Sequence, residues 1–388
     1  MVQKSVPQFG GRPDWYRNLK THHRGDYFGS LRSLWLGQVF VTHDLMYIVY
    51  RDAEGMLSIS RNACAHAGAP LFVEPGEKSV DSIRCSLHQW LYKPSGEVTF
   101  APHFKSCEKL KLRSVEFGVW NGYVLGYSQE ELDTALANFG HSLGLPREAI
   151  NPEEFEYVGE IVDDVPYPRE LMMVNYLDGL HVPLSHQKTF NAVTDCGTYE
   201  WELSSGHENH GLGYSIQQVY ARKDVQRQLG RLMSTHKKSA EEFGWADLHL
   251  WLREKLPNIE TPIDRNIFAV WGAIYGNGHL MIELYEGGLF LAVSSLVNAD
   301  PQNPETGNKN PVELYIHRSV REDCRDVAKL KFANAYKQSG EEDTELCKKL
   351  WQGHRLGHMD FNRVYHEVLE AGDMHWREWF LEDFVMKG

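Results

Sequence analysis

Cys64-Ala65-His66 and Cys85-Ser86-Leu87-His88 bring two thiols and two imidazoles together in alternating order, with eighteen residues between the half-sites. That donor set suits a [2Fe-2S] cluster in which one iron keeps two thiolates and the other takes two neutral imidazoles, an exchange that raises the reduction potential. Each loop then serves both irons: Cys64 and Cys85 bind the first, His66 and His88 the second. A structural Cys2His2 zinc staple would use the same residue types, but its ligands usually arrive as a Cys pair followed by a His pair. The alternating order favours the cluster, and with it an electron carrier.

Trp90, Tyr92 and Gly96 follow the second half-site. With them the stretch resembles the Rieske domain of the Rieske non-haem iron oxygenases. Ala67, the pair Ser86-Leu87 and Gln89 depart from the pattern of that domain, and all of them stand beside the cluster ligands rather than among them.

At 388 residues the chain is long enough for two domains, each with its own core. A formal net charge of -13 speaks against a nucleic-acid partner, since no basic stripe is available to displace phosphate counterions. The other four of six cysteines, Cys107, Cys196, Cys324 and Cys347, show no paired spacing, which suits a reducing compartment. No leader pattern and no run of eighteen apolar residues occurs, so the expected setting is the cytoplasm, with no membrane.

Short alternating or apolar runs at 39–42, 46–51 and 56–60, with turns at 52–55 and 94–96, predict a small antiparallel β domain over 34–128. Asn121-Gly122 between apolar pairs is a type I′ hairpin signal. Residues 129–388 form the second domain, and 1–33, with Trp15 and Tyr16 as anchors, are expected to pack against it. The pattern there predicts a helix at 130–139, a strand at 155–162, a helix over 168–181, strands within 198–220 and a long helix over 225–256. Strands at 266–275, 279–285, 289–298 and 312–318 follow, with a polar loop at 301–311 and two closing helices. A long antiparallel sheet covered by helices is an α+β layout.

Asn175, Asp178 and His181 recur every three residues, placing them on one face of the 168–181 helix. Pro183 is expected to end that helix and let His186 turn toward His181. Two neutral imidazoles and one carboxylate on a face of an octahedron bind non-haem Fe(II) and leave positions open. The run Asn175-x-x-Asp178-x-x-His181-x-x-x-x-His186 matches the iron motif of the same oxygenase family. Asp343 is the expected third ligand, since Glu342-Asp343 with Gln352 nine residues later resembles the family's downstream region; Glu342, Asp360 and Asp373 are the alternatives.

The resemblance spans nearly the whole chain and implies the catalytic (alpha) subunit of such an oxygenase: a Rieske [2Fe-2S] domain joined to a helix-grip, START-like catalytic domain with a mononuclear Fe(II). It implies a homotrimer packed head to tail, in which Asp178 bridges a cluster imidazole of one subunit and an iron imidazole of its neighbour, with Asn175 assisting iron or substrate. Because no dinucleotide-binding turn is visible, electrons must come from a separate NAD(P)H-dependent reductase, with or without a ferredoxin. The implied reaction uses O2 to hydroxylate or oxidatively demethylate a small hydrophobic substrate, aromatic or cyclic. Tyr176, Leu180, Phe268, Trp271, Met281 and Phe290 are the pocket candidates. A cis-dihydroxylating ring dioxygenase fits the same motifs. Two readings of other classes are an electron-transfer protein with a ligand-binding second domain and a zinc-stapled binding module.

Overall fold

The computed structural model describes residues 25–104, 107, 109–186, 188–195, 197–204, 212–276, 279–300, 303, 307–356 and 369–380. Trp15, Tyr16, Cys196 and Asp360 lie outside the described residues. The helices are α1 (Gln129–Ala135), α2 (Arg169–Tyr176), α3 (Val182–Ser185), α4 (Val225–His236), α5 (Gly244–Lys255), α6 (Glu322–Arg355) and α7 (Ala371–Phe380). The fold is α+β, with every sheet antiparallel.

Toward the N-terminus, a four-stranded sheet ordered Leu57–Arg61, Tyr47–Arg51, Gln38–Val41, Gly76–Lys78 stands with a three-stranded one, Ile83–Arg84, Leu91–Tyr92, Val98–Phe100. Val39, Val41, Ile48, Cys64, Cys85, Trp90 and Tyr92 share one buried cluster, which roots both half-sites in the same small core. The hairpin Gly118–Trp120 to Tyr123–Leu125 turns through Asn121 and Gly122, both at positive φ, as its type I′ signal requires. Strand Tyr27–Ser30, upstream of the expected boundary at 34, pairs with that hairpin. The hairpin also joins the core of the large sheet, where Trp120, Tyr123 and Leu125 pack with Ile216, Ile282 and Leu291.

The large sheet runs Phe155–Val165, Asn308–His317, Phe290–Ser295, Leu280–Tyr285, Ile267–Ile274, Tyr214–Tyr220, Glu200–Leu203, with Val297–Asn298 beside the second of these. Its central strands are buried on both faces, so alternation is invisible in hydropathy. Side chains still alternate physically. Ile282 and Leu284 face the hairpin, whereas Met281, Glu283 and Tyr285 face the helices and the cavity beneath them. Asn308–His317 begins earlier than expected and includes Pro311. The missing N–H is tolerated there because Pro311 lies between the stretch paired with Phe290–Ser295 and that paired with Val297–Asn298.

Two helical expectations are corrected. The 225–256 stretch is α4 and α5, separated where Lys237 takes a left-handed φ of 52°. The 168–181 helix ends at Tyr176, and Pro183, instead of ending a helix, stands in the first turn of α3, where its lost donor has no intrahelical role. The break falls at Gly179, whose N–H donates to the Leu369 carbonyl at 2.7 Å. A Cβ there would stand 2.5 Å from the Gln217 amide nitrogen.

Helix α6 carries Asp343 and is strapped to the start of α5. Gly244 N–H donates to Gln338 Oε1 at 2.9 Å, and Trp245 Nε1 donates to Ser339 Oγ at 3.3 Å. A Cβ on Gly244 would lie 2.7 Å from Ala335 Cα, a backbone atom that cannot yield without moving α6. Gly244→Ala is therefore expected to cost about 1–3 kcal/mol of stability, read as a lower unfolding midpoint; an unchanged midpoint would refute the close approach.

Candidate metal centres and their pocket

In the first half-site Cys64 is buried and His66 exposed; in the second Cys85 is buried and His88 exposed. Each loop closes the same way, Gly68 N–H donating to the Cys64 carbonyl and Gln89 N–H to the Cys85 carbonyl. Both closing residues have positive φ, 73° and 59°, which costs glutamine more than glycine. The two loops bring His66 Nδ1 and His88 Nδ1 to 3.1 Å. His66 stacks on Trp90 with centroids 5.1 Å apart. Tyr92 OH lies 3.0 Å from Cys64 Sγ. Burial raises the Cys64 thiol, but hydrogen bonds from Tyr92 and the His66 backbone outweigh it and favour the thiolate. Paired thiols below and paired imidazoles above form a donor set that fits a mixed-ligand [2Fe-2S] cluster.

The second centre assembles around the break between α2 and α3. His181 Nε2 and His186 Nε2 are 3.2 Å apart, and Asp343 Oδ1 lies 3.4 Å from the first and 3.0 Å from the second. Three ligands bound at right angles at about 2.1 Å span edges of about 3 Å, so this triangle has the dimensions of one face of an octahedral metal. Among the described residues it is the group of three or more potential ligands whose atoms converge, all within 4.8 Å. Burial opposes charge on all three. Asp343 and Glu342 nevertheless raise His186 to about 9, while the imidazoles hold Asp343 well below the usual carboxylate range.

Neighbours fix these groups. Asn175 Nδ2 donates to Asp343 Oδ1 at 2.6 Å, which places Asn175 on the carboxylate. Glu342 Oε2 meets His186 Nδ1 at 3.0 Å and accepts from Thr189 Oγ1 at 2.6 Å, an outer partner that sets the ring's tautomer. Asp178 is half-buried; its Oδ1 accepts from Leu180 N–H at 2.8 Å, and its Oδ2 faces His181 Nδ1 at 3.7 Å. That nitrogen is buried without a hydrogen-bond partner among the described residues. Asp373 stands elsewhere, paired with Arg377 at 2.9 Å.

A cavity of about 80 Å³ adjoins the triangle, with room for several waters or a small organic molecule. Of the pocket candidates, Tyr176, Trp271 and Met281 line it; Phe268 and Phe290 belong to the adjoining core. Sequence reasoning missed Glu283, Gln217, Ser294 and Asn310, which also line it. The available signal was a lone carboxylate inside the apolar strand Leu280–Tyr285.

A Rieske [2Fe-2S] domain model matches residues 32–115. The putrescine 2-hydroxylase of Ralstonia nicotianae is 26% identical over 363 residues, covering 89% of this chain and 88% of that protein. The chloroplastic chlorophyllide a oxygenase of Chlamydomonas reinhardtii is 28% identical over 144 residues, and the match spans 37% of this chain but only 21% of that relative. In fold, the chain is similar to a solved quaternary ammonium Rieske monooxygenase, with a TM-score of 0.64 at 15% identity, covering 96% of this chain and 91% of that one. No helix among the described residues is long and apolar enough to cross a membrane. Taken with the two donor sets, these likenesses show that the chain carries a Rieske [2Fe-2S] domain within a fold like that of Rieske oxygenases, whose cofactors are a [2Fe-2S] cluster and a mononuclear iron.

Proposed function

We propose that this chain is the terminal component of a multicomponent monooxygenase. One atom of O2 enters a substrate C–H bond, by hydroxylation or on the way to demethylation, and the other leaves as water. The two electrons come from NAD(P)H through a separate reductase, with or without a ferredoxin, and of the two protons one derives from NAD(P)H and the other from solvent. The observation that carries this reading is the 3.0–3.4 Å triangle of His181, His186 and Asp343 beside a cavity. The hydroxylase named among the relatives supports insertion of a single oxygen over cis-dihydroxylation. The substrate is a small molecule with a hydrophobic, cyclic or aromatic body, turned over by a cytoplasmic homotrimer; catabolism of aromatic compounds is one such setting.

When bound, the cluster relays single electrons and the Fe(II) activates dioxygen. The chain's own residues do the rest. Cys64, Cys85, His66 and His88 hold the cluster, and His181, His186 and Asp343 hold the iron. Asn175 and Glu342 orient Asp343 and His186, and Asp178 offers the carboxylate through which a neighbouring subunit's imidazole is met. The aromatic wall of the cavity keeps bulk water away from the reacting carbon.

A screen of small cyclic and N-methyl compounds with a surrogate reductase tests the function. The expected result is substrate-dependent NADH and O2 consumption with label from 18O2 in the product; label arriving from water instead would overturn it. Tyr92→Phe removes one donor to the Cys64 sulfur. It is expected to lower the cluster's midpoint by roughly 40 mV, about 1 kcal/mol for one electron, and an unmoved midpoint would count against Cys64 as a ligand.

A further inference from the structure

Glu283 is 7% exposed and lines the same cavity as Asp343, yet among the described residues the cavity lining contains no lysine or arginine. Its carboxylate is held from two sides, by Tyr336 OH donating to Oε1 at 2.9 Å and by Tyr285 OH donating to Oε2. Trp271 Nε1 donates in turn to Tyr285 OH at 3.1 Å, so the chain of donors is fixed before any ligand arrives. The register of the sheet places Glu283 opposite Trp271 on one side and Ala292 on the other. The small alanine leaves room beside the acid, and the rings of Tyr176, Phe190 and Trp271 wall the space.

Polar atoms on the same wall also await a partner. Gln217 Nε2, Ser294 Oγ and Asn310 Oδ1 are buried and have no hydrogen-bond partner among the described residues. A purely hydrocarbon ligand would leave all three unpaired. Asp163 adds a further carboxylate at the rim, facing Lys337 and Glu341. An acid with no cationic partner among the described lining residues, aromatic faces, and the unpaired acceptor oxygens of Ser294 and Asn310 together describe a receptor for a positively charged organic group, while the Gln217 N–H is left for another polar part of the ligand.

We propose that the substrate carries an organic ammonium group, and that Glu283 is its counter-charge and the residue that sets this specificity. The inference rests on the oxygenase reading and deepens it: the hydrophobic body of the substrate lies against the rings while its cationic end is anchored at Glu283. Burial, with Asp343 nearby, pushes the Glu283 carboxyl up to about 7 despite its phenol donors. Such an acid is returned to its charged form when a cation binds.

The test is equilibrium binding to the metal-loaded full chain, with two pairs of probes. Choline is compared with its neutral carbon isostere 3,3-dimethylbutan-1-ol, and n-butylammonium with butan-1-ol. The first cation offers methyl groups to aromatic faces, the second offers N–H donors to Asn310 and Ser294, so the pair that discriminates names the kind of ammonium. At least one cation is expected to bind about tenfold more tightly than its neutral partner, in line with the upper range of cation–π and charge contacts. Glu283→Gln, which keeps the shape, is expected to bring that ratio close to one. Equal binding within both pairs, or an undiminished ratio in Glu283→Gln, overturns the proposal. The wild-type comparison decides the matter even if the variant does not fold. Binding is read without turnover: a cation preference with no coupled O2 consumption would leave this inference standing and sink the oxygenase reading, while O2 consumption with neutral rings and no cation preference would do the reverse.

Discussion

Asp343→Ala is expected to strip the mononuclear iron and abolish turnover while leaving the cluster's colour and labile sulfide intact. Asp343 Oδ1 is one corner of the triangle, with both imidazole nitrogens and the Asn175 amide directed at it. Without it, two neutral imidazoles remain, and a divalent ion loses its only charged ligand among the three. Iron should fall from about three per chain to about two, and sulfide should stay at about two. The nearby Glu342 does not substitute, because its Oε2 is engaged with His186 Nδ1 and Thr189 Oγ1 on the far side of the ring. Iron content by elemental analysis, sulfide by colorimetry and NADH-coupled oxygen uptake read all three quantities. Retention of the third iron in Asp343→Ala would refute the assignment, and loss of sulfide would point to general unfolding.

Asp178→Asn is expected to separate metal binding from turnover. Asparagine keeps the shape and can still accept from Leu180 N–H, so the turn between α2 and α3 should persist. What disappears is the negative charge facing His181 Nδ1, a buried nitrogen with no partner among the described residues. Losing an outer partner of this kind typically costs 10–100-fold in activity. Both metals should remain at wild-type content, and the steady-state rate should drop by about that factor. In a single-turnover experiment with the chain chemically reduced beforehand, the defect should persist if Asp178 passes charge between subunits. Wild-type rates in both formats would remove Asp178 from any role beyond capping the turn.

The sequence made the nearby half of each centre legible, because the donors there are separated by a few residues of one loop. Cys64 and His66, Cys85 and His88, and His181 and His186 are such pairs, and spacing alone limits where their side chains can go. Spacing does not, however, fix the route by which the last pair meets. His181 and His186 converge because the chain breaks at Gly179 and restarts with Pro183 inside α3, not because Pro183 ends a longer helix. Asn175 and Asp178 meet different partners across that break, Asp343 in one case and Leu180 N–H in the other.

The cavity was less legible. Phe268 and Phe290 have the hydrophobicity of pocket residues but pack in the core, while Glu283 faces the cavity from the middle of an apolar strand. When both faces of a sheet are buried, hydropathy no longer says which face a residue occupies. Strand register decides, and register depends on partners far along the chain.

By itself, then, the sequence determined the chemistry: which donor atoms are present, in what order, and that two unlike metal centres belong to one α+β chain. Local covalent spacing is enough for that. Only the tertiary structure decided which of the candidate distant carboxylates lies beside the histidine pair and which acid faces the cavity. Asp343 reaches His186 across 157 residues, and Glu283 reaches Tyr336 across 53, through a helix laid over a sheet. Such contacts follow from packing two surfaces together; a local resemblance nominated Asp343, but spacing alone left Glu342, Asp360 and Asp373 open and gave no sign of Glu283.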